Sequence, residues 1–302
     1  MAGPGRPENA RRSRRLNATA LVLILVAAVA HASWNLFSKQ ASEAGAVCFV
    51  WLMSASATAI YAPVVAASLI ASPPHLTARS WLFLAGTAVL QTGYFLFLLR
   101  AYRAGDLSGV YPVGRGSGAL LAALAGIVLL GERPGAAGLA GIGLLVAGVI
   151  VLGLPARTGQ ALAPAAILLA LVTGVFIAAY TLWDKVAVTT VGNPPLLQGY
   201  ASLVGMALAL APFALANTRK TRLTWRRYRG QVAGAALLSP LAYILVLVAM
   251  TFTSVAAVAP AREVSVLFGV LLGRRLLGEG GLARRLTGAA AIVAGIIAVT
   301  FG

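Results

Sequence analysis

Stretches of about 20 apolar residues recur along the whole chain, and they constrain its fold more than any other feature. Each is long enough to cross the roughly 30 Å hydrocarbon core of a bilayer as an α-helix. Only 10% of the 302 residues are charged and 60% are hydrophobic, which is too little charge to cover a soluble domain of this length. A lipid-exposed open strand would leave backbone groups unpaired, so the spans are predicted to be helices. The sequence therefore predicts an all-α integral membrane protein.

Polar, glycine and proline residues divide the apolar sequence into ten predicted spans. Their ranges are 17–38, 45–70, 80–101, 108–130, 135–154, 163–186, 195–216, 231–252, 255–273 and 284–301. Residues 1–16 form a basic leader. With the apolar run that follows and Ala30-His31-Ala32, this leader imitates a cleaved signal peptide. We expect the run to remain as the first span, because it has a counterpart in the second half of the chain.

The two halves of the chain repeat one pattern in the same order. At an offset of 147 residues, Arg115 falls on Arg262 and Gly141 falls on Gly288. At offsets of 146 to 148 the further matches are Lys39 with Lys185, Pro112 with Pro260, Gly131-Glu132 with Gly278-Glu279, and Gly148 with Gly295. Each repeat holds five spans, an odd number, so the second must lie inverted in the membrane. We predict two superposable, inverted five-helix repeats, at 17–154 and 163–302.

Three segments carry a resemblance to a known family. They are HASWNLFSKQA at 31–41, YPVGRGSGALLAALAGIVLLGERP at 111–134, and its counterpart APAREVSVLFGVLLGRRLLGEG at 259–280. In these segments the chain resembles the drug/metabolite transporter superfamily in its EamA-like, ten-span form. The resemblance implies a ten-helix bundle with a central cavity, in a family that moves amino acids, metabolites and drugs. It implies no particular substrate.

Ionisable residues inside predicted spans are costly, so each is a candidate for function. His31, Asn35 and Lys39 step by four and share one helix face, and Tyr180 and Asp184 do the same in the sixth span. With aromatic neighbours added, the predicted substrate-binding residues are His31, Trp34, Asn35, Lys39, Tyr94, Arg115, Tyr180, Asp184, Tyr243, Arg262 and Glu263.

A structural alternative stands beside several of these candidates. Lys39 lies near a span end, where its ammonium group can reach the headgroups. His31 and Asn35 can hydrogen-bond between helices, and Trp34 can belong to the interfacial belt of aromatic residues. Glu279 begins the polar turn before the last span, which favours helix capping over substrate contact.

Arg115 and Arg262 are harder to explain as structural residues. Each lies about eight residues into its span, too deep to reach the headgroups easily, and each follows a proline, Pro112 or Pro260. A proline inside a span frees a backbone carbonyl, which is tolerated where the helix lines a cavity. We therefore expect both arginines to face the cavity; the alternative is a buried ion pair with Glu263.

Several classes of function find no support in the sequence. The net charge of +17 would suit nucleic acid, but the basic residues lie in loops between spans, where they set topology and meet anionic headgroups. Cys48 is the only cysteine, so no internal disulfide can form. The motifs of zinc proteases, serine hydrolases and phosphate loops are absent. We expect no enzyme activity, no cofactor and no metal.

The predicted function is secondary transport of a small polar metabolite, such as an amino acid or organic anion, by alternating access. Coupling to protons and facilitated exchange both stay open. The alternative is a non-transporting intramembrane binding or accessory protein. The expected partners are a small-molecule substrate and the lipid bilayer of the cell membrane, which the chain crosses many times, and no nucleic acid. A homodimer stays open.

The charges inside the spans favour an anionic substrate. Lys39, Arg115, Lys185 and Arg262 outnumber the two acids of the spans, Asp184 and Glu263. Unmatched cations in the hydrocarbon core should face water or an anionic ligand, and a guanidinium group suits a carboxylate. The rival account pairs both acids with cations and leaves a neutral cavity for an apolar or cationic drug.

The orientation signals disagree. Ten spans place both termini on one side, where the loops carry 7 Lys and Arg, against 13 on the other side. The charge count favours termini outside the cell. The basic leader and the family resemblance favour termini inside, and our expectation follows them.

Overall fold

The computed structural model describes residues 18–130, 135–153, 162–252 and 264–301, and within these residues it contains ten α-helices and no strand. In chain order they are α1 (Ala18–Gln40), α2 (Ala46–Ala71), α3 (Ala78–Ala104), α4 (Leu107–Leu130), α5 (Ala136–Gly153), α6 (Pro164–Val186), α7 (Pro195–Ala216), α8 (Thr218–Phe252), α9 (Ser265–Leu277) and α10 (Leu282–Phe301). A 3₁₀ turn, Ser42–Ala44, precedes α2, and a π-helical turn, Ala187–Val191, extends α6 until Gly192 ends it in a left-handed conformation.

The predicted all-helical membrane architecture is confirmed. Among the described residues, five helical segments are long and apolar enough to cross a membrane: Ala46–Ala71, Ala78–Ala104, Pro164–Asp184, Pro195–Ala216 and Leu282–Val299. Ala136–Leu152 is apolar but shorter. The clearest departure is in α8, which begins at Thr218, whereas the predicted span begins at residue 231. The basic segment before that span is helical because it contains neither glycine nor proline until Gly230.

The helices pack in a pattern that respects an inverted repeat. We call the end of the bundle where α1 begins and α2 ends the proximal face, and the end where α1 ends and α2 begins the distal face. Each helix of α1–α5 has its counterpart five helices later, in α6–α10. Helix α1 packs on α8, and the pair of their counterparts, α6 and α3, is also in contact. The pairs α4–α6 and α1–α9 exchange in the same way, while α2–α7 and α5–α10 map onto themselves. This contact pattern is the one expected of two repeats related by a two-fold axis.

The contact between α5 and α10 depends on four glycines. A Cβ atom placed on Gly141 would lie 2.8 Å from the carbonyl oxygen of Gly295, and one on Gly148 would lie 2.8 Å from that of Gly288. Only glycine allows the two backbones this close. The sequence repeat pairs Gly141 with Gly288 and Gly148 with Gly295, so it exchanges these two contacts, as a two-fold axis requires.

Candidate functional site

A cavity of about 160 Å³ lies inside the bundle between α1, α2, α3, α4, α6, α7 and α8. It extends from mid-depth toward the proximal face, since its lining includes Val65 near the end of α2, Asp184 near the end of α6 and Leu196 at the start of α7. Seven of its 21 lining residues carry large aromatic rings: Trp34, Tyr61, Tyr94, Phe95, Tyr180, Tyr200 and Tyr243. Concave sites with apolar walls and a few convergent polar groups are typical of small-molecule binding.

Arg115 belongs to the part of the cavity lining that lies near mid-depth in the bundle. It is the ninth residue of α4, so helical rise places it about 12 Å from the distal start of that helix. Its residue is only 6% exposed, yet it contributes to the cavity wall. A guanidinium group is costly to bury at this depth, so Arg115 is a candidate for contact with a solute.

Asp184 lines the same cavity two residues before the end of α6. Its Oδ1 accepts a 3.0 Å hydrogen bond from Nε2 of Gln198, whose Oε1 accepts a 2.9 Å bond from Asn193. Gln198 and Asn193 are buried, and both also donate to backbone carbonyl groups of α3. The carboxylate is thus held in place near the proximal end of the cavity by a chain of amide side chains.

His31 and Trp34 are held against each other on α1. The indole Nε1 of Trp34 donates to Nδ1 of His31 at 3.3 Å, and the two rings meet edge to face with centroids 5.3 Å apart. The ring of Trp34 also packs on Phe95, which fixes its position in the cavity wall. Both residues therefore present a rigid surface to the cavity.

The structure brings most of the predicted site residues to this one cavity. Seven of them contribute to its lining: His31, Trp34, Tyr94, Arg115, Tyr180, Asp184 and Tyr243. Their roles in binding stay predictions. Arg262 and Glu263 lie outside the described residues.

Asn35 and Lys39 occupy a different place, away from the cavity lining. Asn35 donates to the carbonyl oxygen of His31 at 2.8 Å and accepts from the hydroxyl of Tyr102. Lys39 donates to the carbonyl oxygens of Tyr102 and, at 2.7 Å, Gly105, at the distal end of α3. A step of four residues places side chains on one broad face, but that face of α1 is divided between the cavity and α3.

The lining also contains neutral residues that the sequence reasoning did not select. They are Ala27, Tyr61, Val65, Gln91, Phe95, Leu196, Gly199, Tyr200, Ser202, Leu203, Ser239, Pro240, Ala242 and Ile244. None of them carries a charge, which is the feature that singled out Arg115 and Asp184 in the sequence. Pro240 carried a usable signal, because a proline inside a span indicates a helix that lines a cavity, as was argued for Pro112.

Polar contacts join the two repeats between mid-depth and the distal end of the bundle. Tyr111 on α4 and Ser265 on α9 share a 2.8 Å hydrogen bond. The predicted capping role of Glu279 is confirmed, although the helix that it caps belongs to the other repeat. Its carboxylate oxygens accept hydrogen bonds from the backbone N–H groups of Leu107 and Ser108 at 2.7 and 2.8 Å. Arg285 is buried beside it and pairs with both Glu279 and Asp106.

Comparisons with known proteins agree with the repeat. The model of the EamA-like transporter family matches residues 18–154 and again residues 164–301. No curated protein matches the chain. One solved structure, described only as "Crystal structure of protein", is 20% identical in sequence, with a TM-score of 0.55 over 92% of this chain and 98% of that chain. This likeness shows a shared fold.

Proposed function

We propose, on the premise that this chain belongs to the EamA-like transporter family, that it carries a small organic acid or amino acid across the membrane by alternating access. The chain is a multi-pass membrane protein of a family of small-molecule transporters. The observation that carries the finer proposal is Arg115, a buried guanidinium group in the wall of a cavity inside the bundle.

An acidic group is the chemical partner that Arg115 favours. A guanidinium group presents a planar fork of donors that matches the two oxygens of a carboxylate. In a cavity walled by aromatic rings the pair is poorly screened by water, so the interaction is stronger than at a surface. We propose that the substrate's acidic group binds Arg115 at mid-depth.

The rest of the cavity favours a compact molecule. About 160 Å³ is close to the volume that accommodates a single benzene-sized molecule. Tyrosine rings can cover an apolar body, and they can also face an ammonium group through their π electrons. Asp184 adds a negative charge toward the proximal end. An amino acid would use both charges, whereas a simple organic acid would use Arg115 alone.

The fold supports alternating access. The cavity extends from mid-depth toward the proximal face, while the bond between Tyr111 and Ser265 and the contacts of Glu279 join the two repeats on the distal side. Exchange of conformations between two inverted repeats would close the proximal half and open the distal half around a fixed site. We propose the cell membrane as the location.

A second candidate substrate class is favoured by Asp184. A cationic drug would place its charge beside this carboxylate and its rings against the tyrosines. In that case Arg115 would serve only to hold the bundle together, and its removal would not weaken binding selectively.

The test is a ligand-stabilisation screen of the purified protein against amino acids, organic acids, phosphonates and cationic drugs. A compound that binds the folded state raises the melting temperature. The compound that raises it most is then radiolabelled and followed in proteoliposomes, since uptake separates a transporter from a non-transporting binding protein. We expect an acid or amino acid to stabilise the protein and to be transported.

Arg115→Gln and Arg262→Gln should abolish this binding and leave the thermal stability of the unliganded protein nearly unchanged. The matched control is Arg275→Gln, which removes an exposed arginine of α9 far from the cavity and should bind normally. Normal transport by both arginine variants, or stabilisation by cationic drugs alone, would contradict the proposal.

A further inference from the structure

A second cavity lies at the distal face, where α2 begins, α3 ends and α8 begins. Its volume is about 160 Å³, and it is lined by Ser42, Gly45, Ala46, Val47, Cys48, Leu99, Arg100, Arg103 and Lys220. We call it the distal basic pocket. It lies at the opposite end of the bundle from the proximal half that holds the central cavity, and the proposed transport mechanism makes no use of it.

Three cations from two helices converge on this pocket. Arg100 and Arg103 come from the last turns of α3, and Lys220 comes from the first turn of α8. The lining contains no acidic residue. Glu43 lies 3.6 Å from Arg103 in an ion pair whose side chains are both about two-thirds exposed. Among the described residues, neither Arg100 nor Lys220 pairs with an acid, so the pocket keeps a net positive charge.

The start of α2 adds to this positive charge. Gly45 precedes the helix and has no side chain to cap its first N–H groups. A Cβ atom added to Gly45 would lie 2.8 Å from Nζ of Lys220, so the ammonium group stands against the helix N-terminus. A cation beside the positive end of a helix dipole is unfavourable by itself. An anion in the pocket would contact the cations and the free N–H groups together.

The segment next to the pocket is built to lie in the headgroup layer. Residues 218–229 carry Arg219, Lys220, Arg222, Arg226, Arg227 and Arg229 and no acid. Leu223 and Trp225 are 56% and 43% exposed among these cations, while Thr221 and Thr224 are buried against the protein. The helix departs from helical geometry at Tyr228, where φ is −123° and ψ is 22°, so the basic segment bends away from the span. Exposed apolar side chains interleaved with arginines are typical of interfacial helices.

We propose that the distal basic pocket binds the phosphate of an anionic phospholipid, with residues 218–229 lying in the surrounding headgroup layer. The pocket lies between the ends of two helices long and apolar enough to span the membrane, Ala46–Ala71 and Ala78–Ala104. The ends of such helices meet the headgroup layer, which contains the lipid phosphates. Exposed Leu223 and Trp225 next to it require apolar contact, which acyl chains provide and a dissolved phosphate ion does not. This inference is independent of which solute the protein transports.

The experiment titrates the purified protein with short-chain phosphatidylglycerol, with short-chain phosphatidylcholine and with inorganic phosphate, and follows the melting temperature. Phosphatidylglycerol should stabilise the protein, and the other two should not at the same concentrations. The double variant Arg100→Gln/Lys220→Gln should bind phosphatidylglycerol roughly thirtyfold more weakly, from the loss of two charges near the membrane surface.

The matched control is Arg222→Gln/Arg226→Gln, which removes two charges from the same segment but outside the pocket. We expect its affinity for a single short-chain lipid to stay within about threefold of the wild type, because these exposed side chains do not line the pocket and face a bound phosphate only through solvent. Native mass spectrometry of the wild type provides a measurement that needs no variant and should retain phosphatidylglycerol in preference to phosphatidylcholine. Equal weakening in both double variants, equal binding of both lipids, or full stabilisation by phosphate alone would overturn the proposal.

Discussion

The carboxylate of Glu279 accepts a 2.7 Å hydrogen bond from the backbone N–H of Leu107, although 172 residues separate them in the chain. The first residue of one repeat's fourth helix is thus capped by a side chain of the other repeat. A carboxylate at a helix N-terminus satisfies free N–H groups and interacts favourably with the helix dipole. This single side chain joins the two repeats at the distal face.

Glu279→Gln should destabilise the protein by about 2 kcal/mol, the usual scale for hydrogen bonds made to a charged group. The glutamine keeps the shape of the side chain but loses the charge, and it leaves Arg285 buried with one acid fewer. The loss is measured as a fall in melting temperature in detergent. The control is Glu43→Gln on the same face, whose exposed pair with Arg103 contributes about 0–1 kcal/mol. Equal, small shifts of the melting temperature in both variants would show that Glu279 does not hold the two repeats together.

Gly148→Leu should disrupt the contact between α5 and α10. A Cβ atom at this position would meet the backbone of Gly288, which cannot move aside as a side chain can. Overpacking of this kind costs roughly 1–3 kcal/mol. The matched control is Gly143→Leu on the same helix, because a Cβ atom there meets nothing within 4 Å. Folded yield and melting temperature report the difference, and equal behaviour of the two variants would contradict the helix contact.

Lys39→Met should lower stability without changing the affinity for the transported solute. The ammonium group of Lys39 binds two carbonyl oxygens at the end of α3, and it lies away from the cavity. Loss of these bonds should cost about 1–3 kcal/mol, again read from the melting temperature. The comparison is Arg115→Gln, which should keep the stability of the unliganded protein but lose affinity for the solute. A Lys39→Met variant that is stable but cannot bind solute would restore Lys39 to the binding site.

Asp184→Asn should separate amino acids from simple organic acids. Asparagine keeps an oxygen that can accept from Gln198, so the fold should survive. If the substrate's ammonium group faces this carboxylate, amino acid affinity falls roughly tenfold, which corresponds to about 1.4 kcal/mol. An organic acid of similar size without an amine serves as the control and should bind as before. Titrations of both compounds by thermal shift check this, and an equal loss for both would count against the assignment.

Much of the fold was predictable, because span boundaries follow from hydropathy and loop residues alone. The predicted span 195–216 coincides with α7, and 163–186 begins one residue before α6. The order of matched residues also predicted the inverted repeat. The basic segment before residue 231 was missed, since charge argues against a span but not against a helix.

The site was predictable only where charge marks a residue. Arg115 and Asp184 stood out because ionisable groups inside a membrane are costly. Gln91 and Tyr200 did not, since neutral side chains occur on any face of a span and only packing decides which face meets the cavity. Lys39 shows the converse: its charge is satisfied by carbonyl oxygens of α3, a contact between segments 63 residues apart that helix periodicity cannot reveal.

The ion cluster of Arg285, Glu279 and Asp106 has a consequence for the energy of the transport cycle. An offset of 147 residues places Gly138 where Arg285 stands and Thr253 where Asp106 stands, so the sequence holds no second copy of the cluster for the opposite end. Although the two repeats have one shape, the state open to the proximal side and the state open to the distal side therefore need not have equal free energies. A difference of about 1.4 kcal/mol already makes one state tenfold more populated than the other. If the protein works by alternating access as proposed, and if the cluster forms only when the cavity faces the proximal side, the empty carrier rests in that state. A solute on the proximal side can then bind the more populated state directly, whereas a solute on the distal side can bind only the less populated state.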